Sequence, residues 1–267
     1  MSAARTRPSR GIDHIVIAVR DLDRAEAQFR RLGFALTPRG HHSKLGSYNH
    51  CAMFAADYLE LLAQGTPSRP PLEDFLKRRE GIAGIALRTG DARETFAEMR
   101  RLGIAAAEPV DFGRPVDTPD GQREARFATT EIKDPATAGM RMFFCEHRTP
   151  ELVWLPEYLT QPNGVVGLAK LTVVDAGSAF SGLLQRTLGE TAGTIEYLMP
   201  DAAVRRFEGD PILAVAPPYV AAVRLRVGDL GATARLLETS GVPARKRPDG
   251  ALQVSSRDAM GAILEFV

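Results

Sequence analysis

The sequence predicts an α+β fold in which four βαβββ units pair into two domains. Three observations carry this. At 267 residues the chain is long enough for two domains of ordinary size. With 44% hydrophobic and 25% charged residues it has the material for packed cores. One pattern then recurs four times: a β-rich run, an aspartate, an amphipathic stretch and a glycine. Asp21 to Gly33, Asp91 to Gly103 and Asp229 to Gly241 share a spacing of twelve, the first two copies lie 70 residues apart, and Asp175 to Gly189 spans fourteen.

Each copy opens with aliphatic and β-branched residues, at 12–19, 82–87, 165–174 and 220–227, and these read as strands. The helix that follows is clearest in the first copy. There Leu22, Ala25, Phe29 and Leu32 recur at spacings of three and four, with Arg24, Gln28 and Arg31 opposite. Asp21 and Asp91 stand where a helix N-cap belongs, and Gly33 and Gly103 where a left-handed terminal residue does. Short strands are expected next, at 34–37, 47–55 and 58–62. A proline-rich link over 65–71 and a short helix over 72–79 lead to the second unit. Segment 109–126, with three prolines and two glycines, reads as a long loop, either functional or disordered. One βαβββ unit leaves an open edge and an uncovered face, a reason for units to pair. The expected divisions are a disordered tail at 1–10, a first domain at 11–150, a linker at 151–164 and a second domain at 165–267.

Charge excludes some partners. With 34 Lys+Arg against 33 Asp+Glu the net charge is +1, so no concentrated basic surface for nucleic acid or an anionic membrane is expected. No run approaches the ~20 apolar residues that cross a bilayer. The two cysteines, Cys51 and Cys145, lie in apolar runs and read as reduced thiols, small and buried rather than nucleophilic. With no secretory signal after Arg5, Arg7 and Arg10, a cytoplasmic address is expected. Gly-x-Gly-x-x-Gly, P-loop, Gly-x-Ser-x-Gly and Cys-x-x-Cys motifs are all missing. All five histidines, His14, His41, His42, His50 and His147, fall in the first domain.

Paired βαβββ units, Asp13-His14 in the first strand and Tyr58-Leu59-Glu60-Leu61 in the last strand of that unit resemble the vicinal oxygen chelate superfamily. This superfamily includes glyoxalase I, extradiol dioxygenases, methylmalonyl-CoA epimerase and bleomycin-resistance proteins. Gly40-His41-His42, Gly46-Ser47-Tyr48-Asn49, Tyr58 to Leu62 and Phe144-Cys145-Glu146-His147-Arg148-Thr149-Pro150-Glu151-Leu152-Val153-Trp154 are similar to a glyoxalase-like domain family. Gln161-Pro162-Asn163-Gly164 departs from the His-Pro-Asn-Gly often found there. The resemblance covers nearly the whole chain. It implies that each pair of units forms a cupped mixed sheet with helices outside, and that a divalent ion sits in the cup on side chains from the first and last strand of each unit.

Aligning the units on the aspartate at each helix start, and counting four residues on from Gly139 as Glu265 lies four on from Gly261, puts the four ion-facing positions at His14, Glu60, Gly84 and Phe143 in the first domain. In the second they are Leu168, Ala222, a residue near Leu213, and Glu265. Alternation puts His14 and Val16 on one face of their strand, and Glu60 opposite the helix-packing Leu59 and Leu61. His14 and Glu60 are thus the expected metal ligands and catalytic residues, with Zn, Ni, Fe or Mn as the ion. A catalytic centre usually has three protein ligands, and Asn49, His50 and His147 are further candidates. His147 lies roughly 13 Å along the strand from Phe143 and cannot take its place. The alternative is a buried His14–Glu60 hydrogen-bonded pair with no ion.

Two functions follow, beside a third reading as a structural or interaction protein with both cups collapsed onto side chains. One is a metal-dependent lyase, isomerase or extradiol-type dioxygenase acting on neighbouring oxygens. The other is a metal-free module that sequesters a small molecule, as bleomycin-resistance proteins do. In that case Gly84 supplies room and Phe143 an apolar wall, with Asn49, His50 and His147 as further ligand contacts. His41 and His42 are expected in a loop, solvated or at the site mouth, and Trp154 as an interdomain anchor. The second domain is expected to be structural, a cover, or an oligomer surface. The expected partners are a small-molecule ligand or substrate and a second copy in a homodimer.

Overall fold

The computed structural model describes residues 11–42, 46–66, 70–118, 121–137 and 139–267; the expected tail at 1–10 lies outside them. The chain builds two mixed sheets. The first takes β1 (Ile12–Val19), β2 (Gly40–His42), β3 (Ser47–Met53), β4 (Tyr58–Gln64), β5 (Gly81–Arg88), β6 (Val110–Thr118), β7 (Gly121–Glu131) and β8 (Arg141–His147). Their order is β2-β3-β4-β1-β5-β8-β7-β6. The second takes β9 (Val165–Val174), β10 (Ile195–Leu198), β11 (Tyr219–Val227), β12 (Ala244–Lys246), β13 (Leu252–Val254) and β14 (Ile263–Phe266), in the order β10-β9-β11-β14-β13-β12.

Helices α1 (Leu22–Arg31), α2 (Pro70–Arg78), α3 (Ala92–Arg101), α4 (Ala179–Leu188), α5 (Pro200–Arg206) and α6 (Leu230–Thr239) connect the strands. The expected caps form. Asp21 accepts from the Arg24 amide, Asp91 from those of Arg93 and Glu94, and Asp229 from that of Ala232. Asp175 differs: Ser178 starts α4, and Asp175 binds the Gly177 and Ser181 amides inside a longer turn. Among the described residues no helix is long and apolar enough to cross a membrane.

The two sheets share a core. Ile15, Ile17, Leu59 and Leu61 join Leu171, Val173, Val223 and Leu225 in one buried cluster under the helices. The halves also touch through backbone. A Cβ on Gly81 would lie 2.5 Å from the Gly261 carbonyl oxygen, and one on Gly261 would lie 2.4 Å from that of Glu80, so only glycine fits at this crossing.

Both sheets repeat the same irregularities. In β1 the pairing with β5 jumps between Ile12 and His14, making Asp13 an extra, bulged residue; in β9 the pairing with β11 jumps between Leu168 and Lys170, making Ala169 its counterpart. A second jump leaves Ala83 extra in β5 and Ala221 extra in β11.

Several expectations are corrected. Segment 109–126 is no loop, because β6 and β7 form an antiparallel hairpin over it. Residues 34–37 join no strand, because the Ala35 amide bonds the Gln161 side chain. Gly40–His42 is a strand, not a loop. The third unit has one strand after its helix, β10, so it is βαβ and not βαβββ. Leu168 faces the shared core with Ile12, because the bulge after it shifts the alternation; Lys170 and Glu196 hold the places of His14 and Glu60. Leu213 lies in a short turn, while Ala222 and Glu265 stand where expected.

Candidate functional site

The concave face of the first sheet collects the side chains that alternation turns away from the helices. Tyr58, Glu60 and Leu62 come from β4, Asn49 and Cys51 from β3, Arg141, Phe143 and Cys145 from β8, and His14 from β1. The β6–β7 hairpin adds Phe112, Arg114, Phe127 and Thr129 over the top. It meets β2, where the Phe112 ring lies edge-on to His42 at 6.0 Å.

At the centre, His14 Nε2 lies 3.7 Å from Glu60 Oε2. Each is held from behind. His14 Nδ1 donates to Asp13 Oδ1 at 2.7 Å, since a carboxylate only accepts, and this turns Nε2 toward the cup. Glu60 Oε1 accepts from Asn49 Nδ2 at 2.7 Å. The His14 ring stacks on Tyr58 at 4.3 Å and meets the Phe143 edge at 5.5 Å. The bulge is what makes Asp13 available, because it brings a residue that would face the helices beside its neighbour's ring.

Asp13 is fully buried and serves three donors: His14, His147 Nε2 at 2.9 Å, and Arg88 Nε at 3.2 Å. Burial works to raise its carboxyl, but the hydrogen bonds and charges of the two histidines outweigh it and hold the group below the usual carboxylate range. His147 therefore reaches the site through Asp13 and not through the cavity wall. The Trp154 ring lies edge-on to His147 at 4.8 Å, and its N–H donates to the Phe54 carbonyl, so Trp154 braces the first sheet. His50 turns the other way: Nδ1 bonds the Thr37 carbonyl at 2.8 Å and Nε2 lies 3.3 Å from Glu26 on α1, which excludes it as a third cup ligand.

Alternation on β6 and β8 also turns Arg114 and Arg141 into the cup, two residues not among the expected site residues, while His42, expected in a loop, solvated or at the site mouth, is on a strand and lines the cavity. Phe112, Arg114 and Val116 alternate on β6, but the prolines around them read as a loop. His42 is buried against the cup, and burial pushes its pKa down to about 4, so it stays neutral. Arg141 reaches Glu131 at 3.4 Å and lies 4.2 Å over the Phe143 ring. Both thiols are inert: burial, with Glu60 nearby, pushes Cys51 up to about 12, and burial raises Cys145 well above the ordinary thiol range.

The space beside His14 and Glu60 is about 50 Å³, room for a water or an ion. It adjoins a cavity of about 540 Å³ lined by Val16, Leu72, Phe75, Gly84, Met140 and Arg141, the two sharing Ser47, Leu62 and Arg141. The donor set tests the divalent ion. A gap of 3.7 Å suits two ligands at bonds of ~2.0–2.2 Å. Gly84 and Phe143 offer no donor at the other two positions. The cluster Asp13, His14 and His147 is spaced at hydrogen-bond distances of 2.7 and 2.9 Å, with the Arg88 cation already on the carboxylate. Among the described residues the cup completes no centre of three protein ligands, and the ion does not fit as a catalytic one.

Two solved structures with TM-scores above 0.5 agree with this architecture. A hypothetical protein from Staphylococcus aureus is similar at 14% identity and a TM-score of 0.66, over 96% of this chain and 98% of that one. A xylose isomerase-like TIM barrel/4-hydroxyphenylpyruvate dioxygenase fusion protein is similar at 14% identity and a TM-score of 0.60, over 99% of this chain and 49% of that one. Methylmalonyl-CoA epimerase from Mycobacterium tuberculosis is 24% identical with a TM-score of 0.41, over 54% of this chain and 93% of its own. No curated protein matches the sequence. The sequence profile of a glyoxalase-like domain matches residues 12–188, which span the whole first sheet and the start of the second. The chain therefore belongs to the glyoxalase-like domain family and has the vicinal oxygen chelate fold.

Proposed function

We propose that the first cup binds a small molecule by an oxygen atom, and that His14 and Glu60 exchange a proton with it without a three-ligand metal centre. The observation that carries this reading is the His14 Nε2 to Glu60 Oε2 approach at 3.7 Å, with Asp13 and Asn49 anchoring the two groups from behind. A base whose second nitrogen is tied to an ionised carboxylate has its tautomer set, and its cationic form is stabilised when it takes a proton. Glu60 adds a second negative charge beside the nitrogen that would carry that proton. Such a pair suits proton transfer next to a carbonyl, as an isomerase or lyase requires, and equally holds a hydroxyl or carbonyl in a module that only binds.

The spacing of 3.7 Å also supports a second reading, one Zn, Ni, Fe or Mn ion on His14 and Glu60 alone. Metal content and ligand-induced thermal shift separate the two. Both are measured on the full chain, on His14→Ala and on Glu60→Gln, each first shown to be folded by circular dichroism. A small-molecule hit whose shift survives chelation and vanishes in both variants supports the proposal. About one ion per chain, lost in His14→Ala, selects the metal reading. Hits that shift all three proteins alike refute both.

A further inference from the structure

We infer that the cup selects an oxyanion carried on an apolar body, and that Arg114 is the residue that reads it. This rests on the proposed binding role of the cup and names the class of molecule it takes. Arg114 lies on β6, in the hairpin that folds over the cup, and its side chain lines the same cavity as His14 and Glu60. The residue is half-buried and, among the described residues, its side chain makes no ion pair or hydrogen bond. The other cations at the site are engaged: Arg141 by Glu131 and Arg88 by Asp13.

Arg114 thus lacks a contact partner: among the described residues Glu60 is the one carboxylate lining the inner cavity, and it takes its hydrogen bond from Asn49 and forms no ion pair with Arg114. A guanidinium drawn partly out of water with no ion-pair contact is a standing cost that an incoming anion relieves. Its planar fork matches the two oxygens of a carboxylate or phosphate. Phe112 and Phe127, stacked at 5.2 Å, and Phe143 line the space around it, and Val16, Leu62, Leu72 and Met140 in the adjoining cavity give an apolar or aromatic body its contact. With the oxyanion on Arg114 in the small space beside His14 and Glu60, the rest of the molecule extends along the adjoining cavity of about 540 Å³ past Gly84 and Met140.

The experiment uses three probes of one shape, phenylacetate, phenyl phosphate and phenylacetamide, titrated calorimetrically into the full chain, Arg114→Gln and Arg114→Lys. Near-ultraviolet circular dichroism confirms that the variants keep their packing. One or both oxyanions are expected to bind the natural sequence about ten-fold or more tightly than the amide, and which one is preferred separates carboxylate from phosphate. Arg114→Gln should erase the preference by weakening the oxyanion alone, and Arg114→Lys should keep part of it. Equal affinity for acid and amide, or a preference that survives Arg114→Gln, overturns the inference. If the probes bind equally and His14→Ala abolishes binding, the cup reading stands while the oxyanion reading falls. If none binds, both fall.

Discussion

Cup one and cup two are built on the same strand pairings, down to the bulges at Asp13 and Ala169, yet they hold opposite contents. In the first, His14 and Glu60 face a cavity. In the second, Glu196 and Glu265 stand at the places of Glu60 and Phe143, and Arg206 from α5 bridges them. Its guanidinium lies 3.0 Å from Glu196 and 3.0 Å from both oxygens of Glu265, while Arg224 adds a further bond to Glu265 at 3.0 Å. Ala203, Phe207 and Ile212 seal it with apolar contact. A side-chain cation thus occupies the cup that a ligand would need. The lesson is chemical: a repeated fold keeps its backbone while one copy uses its inward charges for cohesion and the other leaves them free.

Four measurements bear on that contrast. Arg206→Met should cost about 3 kcal/mol in urea unfolding, because it leaves the fully buried Glu265 without the Nη2 donor that serves both its oxygens. Equal losses from Arg206→Met and Glu60→Gln would break the contrast, since Glu60→Gln is expected to cost less than about 1 kcal/mol. Asp13→Asn should cost on the order of 2 kcal/mol near neutral pH, as Asp13 serves His14, His147 and Arg88 where Ala169 serves nothing. Because its folded pKa is depressed, this stabilisation is present above the ordinary carboxylate value of 3.8 and fades as pH falls below it. Acid unfolding should therefore be shallower in the variant.

His42 sharpens the picture of a dry first cup. Its folded pKa of about 4 lies below the ordinary 6.5, so the native state holds it neutral while the unfolded chain takes up a proton as pH falls. Stability should drop by on the order of 2 kcal/mol between those two values and level off below them, and His42→Gln should flatten the slope. The smallest effect lies where the halves meet. Asp57 accepts from the Leu168 amide at 2.8 Å, and burial pushes its pKa up to about 6. A raised carboxyl is an asset at low pH that is lost as pH rises through the folded value. Above pH ~6, Asp57→Asn should then gain on the order of 1 kcal/mol, read as a higher Tm at pH 8 than the natural sequence.

Much of this architecture is legible in the amino-acid sequence. Asp21, Asp91 and Asp229 cap their helices because capping is a matter of three or four neighbouring residues. His14 and Glu60 share a face because alternation is local too. Counting from Asp175 misplaces the second cup, since the turn that delays α4 to Ala179 breaks the count and the bulge at Ala169 then turns Leu168 away from the cup face. By spacing His50 is as near as Asn49, yet adjacent residues on a strand face opposite sides, and its partner Glu26 lies on a helix that spacing alone does not orient.

The amino-acid sequence by itself determined the repeated units, the two sheets, the helix ends and a His–carboxylate pair on one face, all set by interactions within a few residues. Tertiary structure alone decided three things. It brought the β6–β7 hairpin over the cup with Arg114, it filled the second cup with Arg206, and it tied His14 to His147 through Asp13. Each of these joins residues far apart in the chain, through cross-strand registers and bulges that the whole sheet must agree on. Such pairing energies are shared across strands, and no local pattern carries them.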